Sequence, residues 1–114
     1  MTDTITSART SAGVTMQWLM EDAIADGAEL SMARMTVDPG ITSDGHQHPN
    51  CTEAIHLLSG NIEQRVGNKW VSMNAGETVL VGKGQVHQTR NVGSEVAVLM
   101  IAYSSGSRVY VTEN

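Results

Sequence analysis

From Asp38-Pro39-Gly40 onward the chain is cut into short apolar runs by turn residues. The runs cover 53–58, 61–66, 70–73, 78–81, 86–90, 96–103 and 108–112. Between them stand Ser59-Gly60, Gly67-Asn68, Asn74-Ala75-Gly76, Gly82-Lys83-Gly84, Gly93-Ser94 and Ser104 to Ser107. Runs this short suit strands rather than helices, and glycine supplies the positive φ that tight turns need. Two earlier runs, 14–20 and 30–37, read the same way. The pattern lacks helical periodicity and βαβ alternation, so it predicts one all-β sandwich or barrel domain over residues 14–114. The acidic stretch 21–29 (EDAIADGAE) reads as a loop or one helical turn. Residues 1–13, rich in Thr, Ser and Ala, read as a flexible N-terminal arm or an edge segment.

Such a domain must build its core from Val, Ile, Leu and Met, because the chain has no Phe, seven Met and only two Trp and two Tyr. A core of that kind in 114 residues has modest reserve, which favours a homodimer with the strand around 14–20 contributing to the contact. The formal charge is −5 and the charges are scattered, so no basic footprint for nucleic acid is expected. No apolar run approaches the length of a membrane helix, so no membrane partner is expected. The opening residues lack an apolar signal region. A single cysteine, Cys51, cannot form an internal disulfide; a reducing compartment follows, and the cytoplasm is the expected location.

The chemistry concentrates in residues 40–60, GITSDGHQHPNCTEAIHLLSG. His46 and His48 lie two apart on an extended segment, so both imidazoles face one way. Glu53 opens the following strand among apolar neighbours, where a buried carboxylate is costly unless a positive charge meets it. A divalent cation meets that need. His87, just after the turn Gly82-Lys83-Gly84, supplies a further imidazole. Three imidazoles and a carboxylate suit Fe, Mn, Ni, Cu or Zn and argue against Ca or Mg. Four protein ligands would leave coordination positions for a small-molecule substrate, which points to catalysis rather than a structural site.

These two stretches resemble the paired motifs of the cupin superfamily. The first reads Gly40, five residues, His46-Gln47-His48, four residues, Glu53, six residues, Gly60. The second reads Gly76, five residues, Gly82-Lys83-Gly84, two residues, His87, three residues, Asn91. Gly82 stands where the family usually has proline, which moves no ligand. The short gap 61–75 is similar to that of compact bacterial single-domain members. The resemblance implies a double-stranded β-helix, or jelly roll, with a metal at one end of its cavity held by His46, His48, Glu53 and His87.

It also implies a metal-dependent enzyme acting on a small organic substrate, by dioxygenase-type or carbonyl/enol chemistry. The donor set is similar to that of flavonol-cleaving dioxygenases, in which the carboxylate is ligand and base, so Glu53 is the catalytic candidate. Alternatives are a sugar-acid isomerase or lyase and a non-catalytic small-molecule-binding cupin. Uronate-linearising members carry an amide at the position of Glu53. Sensor cupins usually carry a DNA-binding domain, and none is expected here.

Other residues draw weaker readings. His56 falls on the strand face opposite Glu53 and reads as a packed or interface histidine; Cys51 reads as a plain thiol. Arg34, Arg65, Arg90 and Arg108 are candidates to hold an anionic substrate, since guanidinium clamps carboxylates. Alternation places Arg90 opposite His87 and demotes it. Trp18 and Trp70 read as sheet or dimer packing, and the methionines as core or cavity lining.

Overall fold

The structure, a computed structural model, describes residues 8–113. Its strands are β1 (Ala8–Ser11), β2 (Val14–Met20), β3 (Ser31–Val37), β4 (His46–Gln47), β5 (Glu53–Ser59), β6 (Ile62–Val66), β7 (Lys69–Met73), β8 (Thr78–Val81), β9 (His87–Asn91), β10 (Ala97–Tyr103) and β11 (Val111–Thr112). No helix occurs among the described residues, and so none long and apolar enough to cross a membrane. The strands form two antiparallel sheets, β1-β2-β3-β10-β5-β8 and β11-β4-β9-β6-β7, packed as a jelly roll.

Period-two alternation decides which side chains meet between the sheets. In the six-stranded sheet, β3, β5 and β10 turn Ala33, Val37, Ile55, Leu57, Leu99 and Ile101 inward, all essentially inaccessible. The facing sheet is different. It contributes Ile62 and Met73, but also buries Gln64, Thr89 and Asn91. These polar side chains find partners, as burial requires. Thr89 Oγ1 donates to Gln64 Oε1, and Asn91 Nδ2 donates to the carbonyls of Val37 and Glu95. Asn91 thereby ties β9 to β3 across the sandwich.

The segment read as an arm or edge contains strand β1, which pairs with β2 through a two-residue turn at Ala12 and Gly13, φ 50° and 83°. Positive φ at both turn residues matches the twist of a tight hairpin. Residues 1–7 of the expected arm lie outside the described residues. β1 covers one side of β2 and β3 the other, so 14–20 is an interior strand of its sheet. Residues 21–29 form turns closed by hydrogen bonds from Ile24 and Ala25 to the Glu21 carbonyl.

Gly60, which closes the first motif, is held by close packing. Its φ is +104°, and a Cβ there would lie 2.9 Å from Ala97 Cα on β10. Gly76 has φ +94° with open space around it. Both positions strain a non-glycine residue, but only Gly60 adds a backbone clash. We therefore expect Gly76→Ala to cost about 1–2 kcal/mol and Gly60→Ala measurably more, read from urea denaturation midpoints. Equal losses would show that contact with Ala97 is not the constraint.

Candidate metal centre

The donor residues arrive from both sheets. His46 of β4 lies directly opposite His87 of β9. Glu53 is the first residue of β5 in the other sheet and lies opposite Tyr103 of β10. His48 follows β4 and precedes Pro49. One ligand atom from each of the four lies within 4.8 Å of the others. His48, Glu53 and His87 are buried, with exposures of 2%, 4% and 2%, and His46 is half-buried.

Backbone carbonyls set the direction of each imidazole. His46 Nδ1 lies 2.8 Å from the Asp44 carbonyl, His48 Nδ1 2.8 Å from that of Val109, and His87 Nδ1 3.0 Å from that of Gln85. A carbonyl oxygen only accepts, so Nδ1 carries the proton in all three rings. In the neutral rings each Nε2 then presents a lone pair. This is the outer-shell arrangement that orients histidine toward a metal.

Glu53 Oε1 lies 3.1 Å from His48 Nε2 and 2.8 Å from His87 Nε2. These distances are short, yet the angles of a hydrogen bond are not met, and all three buried atoms lack a hydrogen-bond partner. Three electron-rich atoms facing one another out of water repel unless a cation lies among them. A proton or a metal ion would serve. Three imidazole nitrogens and a carboxylate are donors of the kind that bind transition metals, so the residues fit such an ion.

Burial pushes the Glu53 carboxyl up, but where protons rather than a metal ion occupy the site, hydrogen bonds donated by His48 and His87 Nε2 outweigh it and hold it at about 2. Burial, then the neighbouring His87, lowers His46 to about 4. At neutral pH the group therefore offers an ionised carboxylate and, at His46, a free lone pair.

A cavity of about 250 Å³ opens on His46, Glu53 and His87, lined also by Met16, Met35, Trp18, Tyr103, Thr89, Arg108 and Tyr110. Tyr110 stacks on His46 with ring centroids 4.4 Å apart, and Tyr103 meets His48 edge-on at 5.2 Å. Burial, and next the charge of Glu53, push the Tyr103 hydroxyl well up; burial, and next Asp44, raise Tyr110. Both phenols stay protonated at neutral pH.

The remaining sequence candidates disperse. Arg34 is exposed on β3. Arg65 pairs with Glu113 and Gln88, and Arg90 pairs with Glu63 and stacks on Trp70. Only Arg108 of the four lines the cavity. His56 bonds Thr78 Oγ1 on the adjacent strand, 2.8 Å away. Cys51 is buried, and burial followed by Glu53 raises its thiol. Trp18 lies against Tyr103 at 5.8 Å and lines the cavity.

Sequence reasoning missed Tyr103 and Tyr110. Tyr103 carried a usable signal: it shares the inward face of Leu99 and Ile101, at the end where a polar tip can reach the site. Tyr110 carried none, because its placement depends on a non-local strap.

Comparison with known proteins places this geometry. Residues 33–103 match a family model described as "Cupin domain". Oxalate oxidase 2 of Hordeum vulgare is 33% identical over 84 residues, covering 67% of this chain and 38% of its own. Germin-like protein 3-8 of Oryza sativa subsp. japonica is 31% identical over 81 residues, covering 67% and 36%. The chain thus matches under two-fifths of the length of these curated relatives. A solved oxalate oxidase structure superposes with a TM-score of 0.81 at 27% identity, covering 97% of this chain and 62% of the other.

Acid should loosen the metal-free protein in a defined window. His46 has a lowered pKa when folded, so between 6.5 and about 4 the unfolded chain binds a proton that the folded site refuses. Glu53 repeats this between 4.5 and about 2. Stability of chelator-treated protein should therefore fall as pH drops through both windows, and His46→Gln should flatten the upper one. A denaturation midpoint that does not change between pH 7 and 4 would refute this assignment.

Proposed function

Because this chain belongs to the cupin domain family, we propose that it is a metal-dependent enzyme acting on a small organic substrate, with oxidation by dioxygen as the favoured chemistry. The observation that carries the reading is the set of three orphaned, buried donor atoms on His48, Glu53 and His87, completed by His46, beside a cavity of small-molecule size. Similarity to oxalate oxidase 2 supports an oxygen-rich acid as the substrate type.

His46, His48, Glu53 and His87 would hold the ion. A transition metal held there supplies Lewis acidity and, if redox-active, electron transfer to dioxygen. The chain's own residues do the rest. The three carbonyl-bonded imidazoles keep their lone pairs fixed, which lowers the reorganisation needed on binding. Glu53 brings the negative charge and a proton acceptor beside the reacting molecule. Tyr110 stacks on His46 and the buried Tyr103 meets His48, which limits the water beside those rings and strengthens the charge interactions there.

The test is a single series on protein purified without chelator. Metal content should be highest in wild type, reduced in Glu53→Gln and lowest in His87→Ala, which removes a whole donor. Oxygen uptake with a panel of small carboxylic acids and enols should be seen with wild type, and should fall further in Glu53→Gln than its metal content does. Equal metal in all three proteins would reject the site. Full metal with no uptake across the panel would reject the oxidase reading and leave the isomerase or lyase and the binding module.

A further inference from the structure

Arg108 is the one described residue that brings a positive charge into the cavity, and its guanidinium has no ion pair there. Its carbon lies 5.0 Å from the Trp18 ring, 5.2 Å from Tyr103 and 5.2 Å from Tyr110. Two carboxylates, Glu53 and Asp44, line the same space, and neither lies within ion-pair distance of it. Three aromatic faces flank the cation, but they supply none of the paired oxygen acceptors that its five N–H donors take up.

The backbone beneath Arg108 is pinned on both sides. Asn50 Nδ2 donates to the Ser107 carbonyl, and the Val109 amide donates to Asn50 Oδ1. The Val109 carbonyl then accepts from His48. One side chain, Asn50, thus brackets Arg108, and the next residue orients a donor of the candidate metal centre. Tyr103 and Tyr110 each touch an imidazole and the guanidinium. The guanidinium and the donor set are therefore held in one relation by the same few residues.

We infer that Arg108 is the substrate-anchoring residue, taking the carboxylate of a small, flat organic acid whose body packs among Trp18, Tyr103 and Tyr110 while an oxygen at its other end faces His46, Glu53 and His87. This rests on reading the cavity as the substrate site. Aromatic walls favour a planar, unsaturated or aromatic body, and a guanidinium prefers a carboxylate because two parallel N–H bonds match its two oxygens. The cavity exceeds what a bare two-carbon diacid would fill, and its apolar side chains, Met16 and Met35 among them, would contact nothing in such a ligand.

Isothermal titration of the protein as purified tests this with a matched pair, 4-hydroxybenzoate and 4-hydroxybenzamide. The two differ only in the charge at one end, and the para arrangement prevents chelation. Wild type should bind the carboxylate at least ~10-fold more tightly than the amide, the scale of a charge-assisted hydrogen bond. Arg108→Gln should weaken the carboxylate by ~10-fold or more and leave the amide within about twofold. Arg108→Lys should recover part of the loss, because it keeps charge without the fork. Metal content should stay at the wild-type level in both variants, which separates loss of the anchor from loss of the donor set. Equal binding of acid and amide by wild type, or no binding of either, would overturn the proposal without needing any variant. Undiminished acid binding by a folded Arg108→Gln would overturn the assignment to this residue. A wild type without metal that still discriminates acid from amide through Arg108 would sustain the anchor while removing the enzymatic reading.

Discussion

The contact of Glu53 Oε1 with His48 Nε2 and His87 Nε2 is unfavourable by itself, and the surrounding chain is what keeps it in place. A carboxylate and two imidazoles taken out of water lose hydration that nothing in the protein restores. Each ring could relieve the repulsion by rotating, but each is held by a carbonyl from a different segment: Asp44, Val109 and Gln85. Those carbonyls also fix which nitrogen carries the proton. The cost is thus stored as a pre-arranged set of lone pairs, to be offset by whatever cation enters.

Holding Val109 in place engages the C-terminal segment. After β10 the chain does not run straight into another long strand. Residues 104–110 form a strap tied to Asn50 and His48 that brings Arg108 and Tyr110 to the cavity, and only Val111–Thr112 pair with β4. The Glu113 amide then bonds the Gly45 carbonyl, and its carboxylate meets Arg65. Small losses in the strap therefore reach the centre without touching a donor: releasing the Val109 carbonyl frees His48 to change tautomer. Tyr110, stacked on His46, would leave with it.

Much of this was readable from the chain, for a physical reason. Apolar runs bounded by turn residues predicted β2, β3 and β5 through β10 to within a residue, because short runs between turns are what a two-sheet sandwich requires. The spacing of His46, His48, Glu53 and His87 named the four residues the fold brings together. The reading of 108–112 as a strand went wrong at its start. There the amide and carbonyl of Val109 bond Asn50 and His48 instead of a ladder, and no local pattern announces partners some sixty residues away. The same non-locality hid Tyr110. Strand β1 was missed as a definite strand because Ala, Arg, Thr and Ser have little strand preference together; the tight turn at Ala12-Gly13 and pairing with β2 override it.

The two sheets divide the labour. The six-stranded sheet presents an almost wholly apolar inner face, with Ala33, Val37, Ile55, Leu57, Leu99 and Ile101 supplying the burial that stabilises the fold. The five-stranded sheet turns Gln64, Thr89 and Asn91 inward along with His87, giving up apolar burial for satisfied polar contacts. Glu53 is the exception on the apolar side, and it stands at the strand end nearest the opening, where its neighbours across the ladder are Tyr103 and Val81. A carboxylate two residues deeper, at Ile55, would lie among Leu57 and Ile101 with no imidazole in reach. The charge is tolerated where it is because the polar sheet brings its histidines to the same end. Stability and chemistry are thereby separated along the barrel axis, and the donor set can be built from strained, cation-seeking contacts without compromising the core beneath it.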